Sequence, residues 1–173
     1  MKYFTSDLHY NHAKLLEWMP ESRPHATVDE MNEFITTTIN DVCTEKDELY
    51  ILGDVLMGQR KHGLHLIREL RPRLYLVRGN HDTFKVHEEE ELFEAAWDYK
   101  EVKDNKRTIV CFHFPISVWH NCHYGRMHLH GHSHGQLKEV KPNRFDIGWD
   151  VWQRPVSFDE VYSWKTSEVV KHH

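Results

Sequence analysis

Apolar positions in the first half of the chain switch between two periods. Lys2–Ser6 and Glu48–Leu52 read as short strands, and the second ends on Gly53-Asp54. Leu74–Val77 is a third apolar run, ending on Arg78-Gly79-Asn80. Short runs without polar alternation are typical of strands buried on both faces. Between them the period lengthens. Val28, Met31, Ile35, Ile39 and Val42 recur at close to 3.6 residues behind a Thr27-x-x-Glu30 capping box, which predicts a helix. Shorter helices are predicted over Asn11–Trp18, over Leu64–Leu70 with Pro72 as its stop, and over the acidic stretch Glu88–Trp97.

The second half changes character. Tyr99–Lys103 and Thr108–Phe112 read as two strands joined by a turn at Asp104-Asn105-Lys106. Met127–His130, Gln136–Val140 and Arg144–Ile147 read as further strands, and Ser157-x-x-Glu160 is a second capping box opening a last helix to about Trp164. Strands alternate with helices first and then cluster. The expected fold is a mixed α/β sandwich with a parallel-type half and a more antiparallel half.

The 173 residues suit one domain, 1–173, and no repeat or flexible linker divides them. No apolar run reaches membrane-spanning length, and Met1-Lys2-Tyr3-Phe4 lacks the long apolar region of a signal peptide, so a cytoplasmic, non-membrane protein is expected. The three cysteines form no Cys-x-x-Cys pair, which argues against a disulfide framework or a zinc ribbon. The net charge of −5 is not that of a general nucleic-acid binder. Histidine is the outlier, with 16 copies. His172 and His173 are discounted as resembling the start of a purification tag. The remainder still points to metal binding or to acid–base chemistry near neutral pH.

Five polar clusters follow or close the apolar strands: Asp7-Leu8-His9, Gly53-Asp54, Gly79-Asn80-His81-Asp82, His113-Phe114-Pro115 and Gly131-His132-Ser133-His134. Ligands in open α/β sheets gather beyond the carboxyl ends of strands, so clusters far apart in sequence can meet there. Strand geometry would point Asp7 and His9 the same way, and likewise His132 and His134. Glycines at 53, 79 and 131 allow backbone to pass close to such a site. The donors are oxygen and nitrogen with no thiolate. That set suits manganese, iron, zinc, nickel or cobalt better than calcium, magnesium or a structural zinc. Two such ions about 3.5–4 Å apart can activate a bridging hydroxide and clamp a displacement at phosphorus.

The order Asp-x-His, Gly-Asp, Gly-Asn-His-Asp, His, Gly-His-x-His resembles the calcineurin-like metallophosphoesterase superfamily. Phe4-Thr5-Ser6-Asp7-Leu8-His9, His113-Phe114-Pro115 and Gly148-Trp149-Asp150-Val151-Trp152 resemble its small bacterial and phage branch. The resemblance spans residues 7–134 and implies a four-layer sandwich of two mixed β-sheets flanked by helices. It also implies two divalent ions, manganese first among the candidates. Asp7, His9, Asp54 and His134 would hold one ion, and Asp54, Asn80, His113 and His132 the other, with Asp54 bridging. His81 would act as general acid or charge stabiliser, and Asp82 would orient it through a hydrogen bond. The apolar Val55-Leu56-Met57 after Asp54 departs from the family habit of a further polar residue there.

Around this set, His12 is a candidate substrate contact from a helix start. Arg23, Arg60 and Arg78 are candidate phosphate clamps, with Arg78 the first choice. His120 and His123 are weaker candidates, and His128 and His130 read as structural. The expected partner is a small phosphorylated substrate, nucleotides included, with diesters favoured over monoesters. Two other readings stand beside it: a catalytically silent interaction module on the same fold, and a nuclease, against which the acidic balance weighs.

Overall fold

The computed structural model describes residues 1–169, with side chains to Trp164. His172 and His173 lie outside the described residues. Strand β1 (Lys2–Thr5) is followed by a single-turn helix α1 (Leu15–Trp18), the long helix α2 (Val28–Val42) and β2 (Glu48–Ile51). Helix α3 (Arg60–Arg68), β3 (Arg73–Val77), α4 (Val86–Leu92) and β4 (Ala95–Trp97) complete the first half. Strands β5 (Lys100–Asp104), β6 (Arg107–Cys111), β7 (Met127–His130) and β8 (Arg144–Asp146) form the second half. The short elements α5 (Trp149–Trp152) and β9 (Val156–Ser157) then lead to α6 (Phe158–Val169).

Two mixed sheets result. The first has the order β4-β3-β2-β1-β9, parallel except where β9 pairs antiparallel with β1. The second has the order β5-β6-β7-β8. Its only antiparallel pair is the β5–β6 hairpin, while β6–β7 and β7–β8 are parallel. Antiparallel pairing within the second sheet is therefore confined to the hairpin. There Asn105 and Lys106 take φ of 44° and 66° between the paired residues Asp104 and Arg107, as a two-residue primed turn requires.

Strand periodicity sorts the core into two layers. Leu49, Ile51, Leu74 and Leu76 face Met31, Ile35 and Ile39 of α2 together with Leu64 and Ile67 of α3. Their neighbours Phe4, Tyr50, Leu52 and Val77 face the second sheet, against Val102, Ile109, Cys111, Met127 and Leu129. Successive side chains leave a strand on opposite faces, so each central strand of the first sheet is buried twice. On the far face of the second sheet, His128 is buried against Trp119, with ring centroids 5.3 Å apart. No helix of the described residues is long and apolar enough to cross a membrane.

Four expectations change. The helix expected over Asn11–Trp18 is confined to Leu15–Trp18, because Asn11 adopts a left-handed φ of 64°. The helix expected over Glu88–Trp97 ends at Leu92, and Ala95–Trp97 pair with β3 as an edge strand. The open sheet edge overrides the helical propensity of two alanines there. Gln136–Val140 is an exposed loop and not a strand. The helix that the apolar run at 64–70 continues spans Arg60–Arg68 and ends short of Leu70.

The N-terminus of α2 is closed by Thr27, whose hydroxyl accepts from the Glu30 amide at 3.2 Å. Thr27→Ala should lower stability by about 1 kcal/mol. In a chain of this length that is a fall in Tm of roughly 2–4 °C, measurable by calorimetry. An unchanged Tm would contradict the assigned cap.

Candidate metal centre

Strands β1, β2 and β3 run parallel, so their carboxyl ends share one edge of the first sheet; β6 and β7 do the same in the second. Backbone bonds fasten the loops beyond these ends. Asp7 N–H donates to the Gly53 carbonyl, His9 N–H to the Asp54 carbonyl and Gly131 N–H to the His113 carbonyl, each at 3.0 Å. The loop residues are not extended, as strand geometry would have required. Asp7, His9, Asp54, His132 and His134 take φ of 56°, 50°, 54°, 67° and 48°. For a residue with a Cβ this left-handed region carries strain on the order of 1–3 kcal/mol, and such strain gathers at functional sites. Alternate left-handed residues, rather than a pleat, turn Asp7 and His9 towards one volume and His132 and His134 towards the same region.

Two glycines make the approach possible. A Cβ at Gly79 would collide with the Asp54 carboxylate and backbone, and a Cβ at Gly131 would collide with the Ser6 hydroxyl and the Asp7 carboxylate.

Two groups of ligand-type side chains meet as a result. Asp7, His9 and His134 form one, and Asp54, His113 and His132 the other, with donor atoms in each group within 4.8 Å of one another. Asp54 stands between them. Its Oδ2 is 3.8 Å from His9 Nε2 and 3.5 Å from His113 Nε2. Asn80 Oδ1 is 3.0 Å from His113 Nε2. All seven residues expected as metal ligands thus converge.

The chemistry of the donors fits a cation. His9 is 3% exposed, and both of its ring nitrogens are buried without a hydrogen-bond partner. Burying unsatisfied polar atoms is costly, and burial also lowers the His9 pKa to about 3, which leaves a neutral ring with a lone pair to give. His113 Nδ1 lies 2.7 Å from the Leu52 carbonyl and His134 Nδ1 lies 2.7 Å from Asp150 Oδ2. Each contact places a proton on Nδ1 and turns Nε2 towards the site, the arrangement seen in metal-ligating histidines. Burial pushes the Asp7 carboxyl up to about 7, against the pull of the neighbouring histidines. Burial would raise Asp54 as well, but His113, the His81 amide and His9 together hold it at about 2.

Residues 3–171 match the calcineurin-like phosphoesterases. The chain belongs to the calcineurin-like phosphoesterase family. It is 29% identical over 168 residues to an uncharacterized protein of Methanocaldococcus jannaschii, covering 92% of this chain and 88% of that one. It is 27% identical over 192 residues to the gene 66 protein of Mycobacterium phage L5, covering 92% and 91%. The fold is shared with a protein of unknown function from Aquifex aeolicus, at a TM-score of 0.75 and 23% identity over 95% of this chain and 98% of that one. Family membership and the two ligand groups together support a metal-dependent phosphoesterase.

The surroundings of this phosphoesterase centre revise several sequence expectations. Asp82 does not reach His81. Its carboxylate accepts from the amides of Gly79 at 2.8 Å and of Asp54 and Val55 at 2.9 Å. It therefore ties the β3 loop to the β2 loop and fixes the backbone that carries Asp54. Arg78, the first choice for a phosphate clamp, is engaged elsewhere. Its guanidinium is paired with Glu89 at 2.7 Å and with Asp98 at 3.1 Å, and it does not line the cavity over the ligand groups. Arg60 is paired with Glu88, and Arg23 is buried behind the site. His12 does line the cavity, as do His81, His132 and His134. His120 is paired with Glu101 at 2.6 Å, away from the cavity. Val55 and Leu56 are buried in the α2–α3 core layer, which accounts for an apolar loop after Asp54.

Sequence reasoning missed the pair Arg23–Asp150. Arg23 is 1% exposed. It donates to Asp150 through Nε at 2.7 Å and Nη2 at 2.9 Å, and to the carbonyls of Asp7 at 2.7 Å and Leu8 at 3.0 Å. Asp150 in turn holds His134. Burial works to raise the Asp150 pKa, but His134, Arg23 and Ser22 hold it well below the usual carboxylate range. The one sequence sign was Asp150 within the Gly148–Trp152 stretch; nothing marked Arg23 as its partner.

Breaking a buried pair strands the remaining charge. Arg23→Ala should destabilise the fold by about 3–5 kcal/mol, read by urea unfolding. A change under about 1 kcal/mol would show that the pair does not brace the first loop.

Proposed function

We propose that this chain is a dinuclear phosphoesterase. Asp7, His9, Asp54 and His134 would hold one divalent ion, and Asp54, Asn80, His113 and His132 a second. The observation that carries the reading is the position of Asp54, whose one oxygen faces both His9 and His113 at under 4 Å. The thiolate-free oxygen and nitrogen set favours transition metals, manganese first. When bound, such ions supply positive charge to a phosphoryl group and acidity to a water molecule.

The chain's own residues do the remaining work. His113 and His134 are pre-oriented through their Nδ1 contacts with Leu52 and Asp150, so little rotation is needed to engage a ligand. His81 is exposed at the cavity edge, with its ring centroid 5.9 Å from that of His9. Its amide donates to Asp54 Oδ1 at 2.9 Å, which fixes the His81 backbone beside that carboxylate. From there the His81 ring gives a proton to the leaving oxygen or stabilises its charge. Among the described residues no lysine or arginine lines the cavity, which favours a small phosphorylated compound over a nucleic-acid strand. The cavity is open to solvent at His81 and His132, both exposed, so a diester has room for its second substituent. The full ligand set, with His81 at its edge, weighs against a catalytically silent interaction module.

Metal-stripped protein should hydrolyse bis-p-nitrophenyl phosphate and p-nitrophenyl phosphate only after manganese is restored, with the diester preferred. Asp54→Ala should lose metal and activity together. His81→Ala should keep its metal, yet lose roughly 10²–10⁴ in rate on an ester with a poor leaving group. Absence of metal-dependent hydrolysis of both nitrophenyl esters would sink the proposal, and a fully active His81→Ala would remove the role given to that ring.

A further inference from the structure

The cavity over the histidines extends beyond them. It encloses about 380 Å³, within the range of small-molecule sites. Part of its wall is His9, Asp54, His81, His132 and His134, and another part is Leu15, Trp18 and Met19. Gln136 Nε2 lies 3.4 Å from Met19 Sδ and joins this apolar part to the loop that follows His134.

Trp18 is the unusual member. It is 62% exposed, although the indole is among the side chains with most to gain from burial. It is not loosely placed. His12 stands edge-on to it, with centroids 5.7 Å apart and planes at 84°, and His12 is in turn 5.2 Å from His9. Only one ring therefore separates the indole from the first ligand group. Lys14 Nζ lies 5.8 Å from the Trp18 centroid, outside the lining of the cavity. His12 Nδ1 is buried without a hydrogen-bond partner in the described structure.

A phosphoester seated at the ligand groups must direct an organic group somewhere. Leu15 and Met19 would serve any alkyl group, but a largely exposed indole in the cavity wall suits a flat ring. Stacking of a base on an aromatic side chain changes affinity by about tenfold or more. The geometry points to Trp18 as the base-stacking subsite of this cavity, and to single nucleotide phosphoesters as its substrate class. The inference rests on the phosphoesterase reading above, and it goes further by assigning the leaving or spectator group of the ester to a nucleoside.

The test uses the manganese-loaded full chain and two diesters with the same reporter: thymidine 5′-(p-nitrophenyl phosphate) and methyl p-nitrophenyl phosphate. The wild type should favour the nucleoside ester by about tenfold in kcat/KM, mainly through KM. Trp18→Ala should bring the ratio to within about twofold of unity, and Trp18→Phe should restore most of it. Calorimetric binding of the non-hydrolysable phosphonate analogue of adenosine monophosphate, set against methylphosphonate, supplies a readout independent of turnover. The ratio of the two affinities should fall about tenfold in Trp18→Ala. Hydrolysis of neither diester by the wild type would count against the phosphoesterase reading, and the phosphonate ratio would still decide on Trp18. A wild type with no preference for the nucleoside phosphonate, or a Trp18→Ala ratio equal to that of the wild type, overturns the subsite.

Discussion

The site is organised around a concentration of electron pairs. Two carboxylates and four imidazoles, with the Asn80 amide beside them, face one small region at the meeting edge of two sheets. Left alone, such groups repel, lose their hydration and shift their pKa values in opposing directions. The shifts are visible: the Asp7 carboxyl is pushed up, the Asp54 carboxyl is held down and the His9 ring is kept neutral. A positive charge placed among them would answer all three at once, and would give the buried His9 ring nitrogens, which have no hydrogen-bond partner, something to bind.

Such an arrangement persists only if the scaffold over-determines it. The central strands of the first sheet are buried on both faces, one against α2 and α3 and the other against the second sheet. Their ends are therefore fixed points. The left-handed loop residues are clamped further by Asp82, which binds three amides, and by Arg23, which binds two carbonyls and Asp150. Neither residue belongs to the ligand groups. Both act by holding the backbone from which ligands project, and a positioned ligand is worth more than a nearby one.

Much of this was legible in the sequence, for definite reasons. The buried strands and α2 are long enough to show a period, and five polar clusters at strand ends point to one edge whatever the details. What the sequence hid was either short or long-range. Trp149–Trp152 and Val156–Ser157 hold too few residues for any periodicity. Ala95 and Ala96 look helical until an open sheet edge is present to recruit them. The partner of Asp82 could not be read, because the chain motif places His81 beside it while the fold brings Asp54 and Val55 closer. The carboxylates that engage Arg78 were hidden for a similar reason: Glu89 and Asp98 are eleven and twenty residues away, and only folding sets them around it. Trp18 shows the reverse case, a residue with no pattern of its own that gains meaning from the cavity it lines.

The most direct test of the account is the number of metal ions that the site takes up. Chelator-stripped protein, titrated with manganese and freed of excess, should retain two ions per chain by elemental analysis. The two should be close enough for their electron-spin signals to couple, and an Asp54→Ala chain should show no such coupling. A wild-type chain that retains one ion or none, or two ions with independent signals, would contradict the claim that Asp54 joins two ligand groups into one centre.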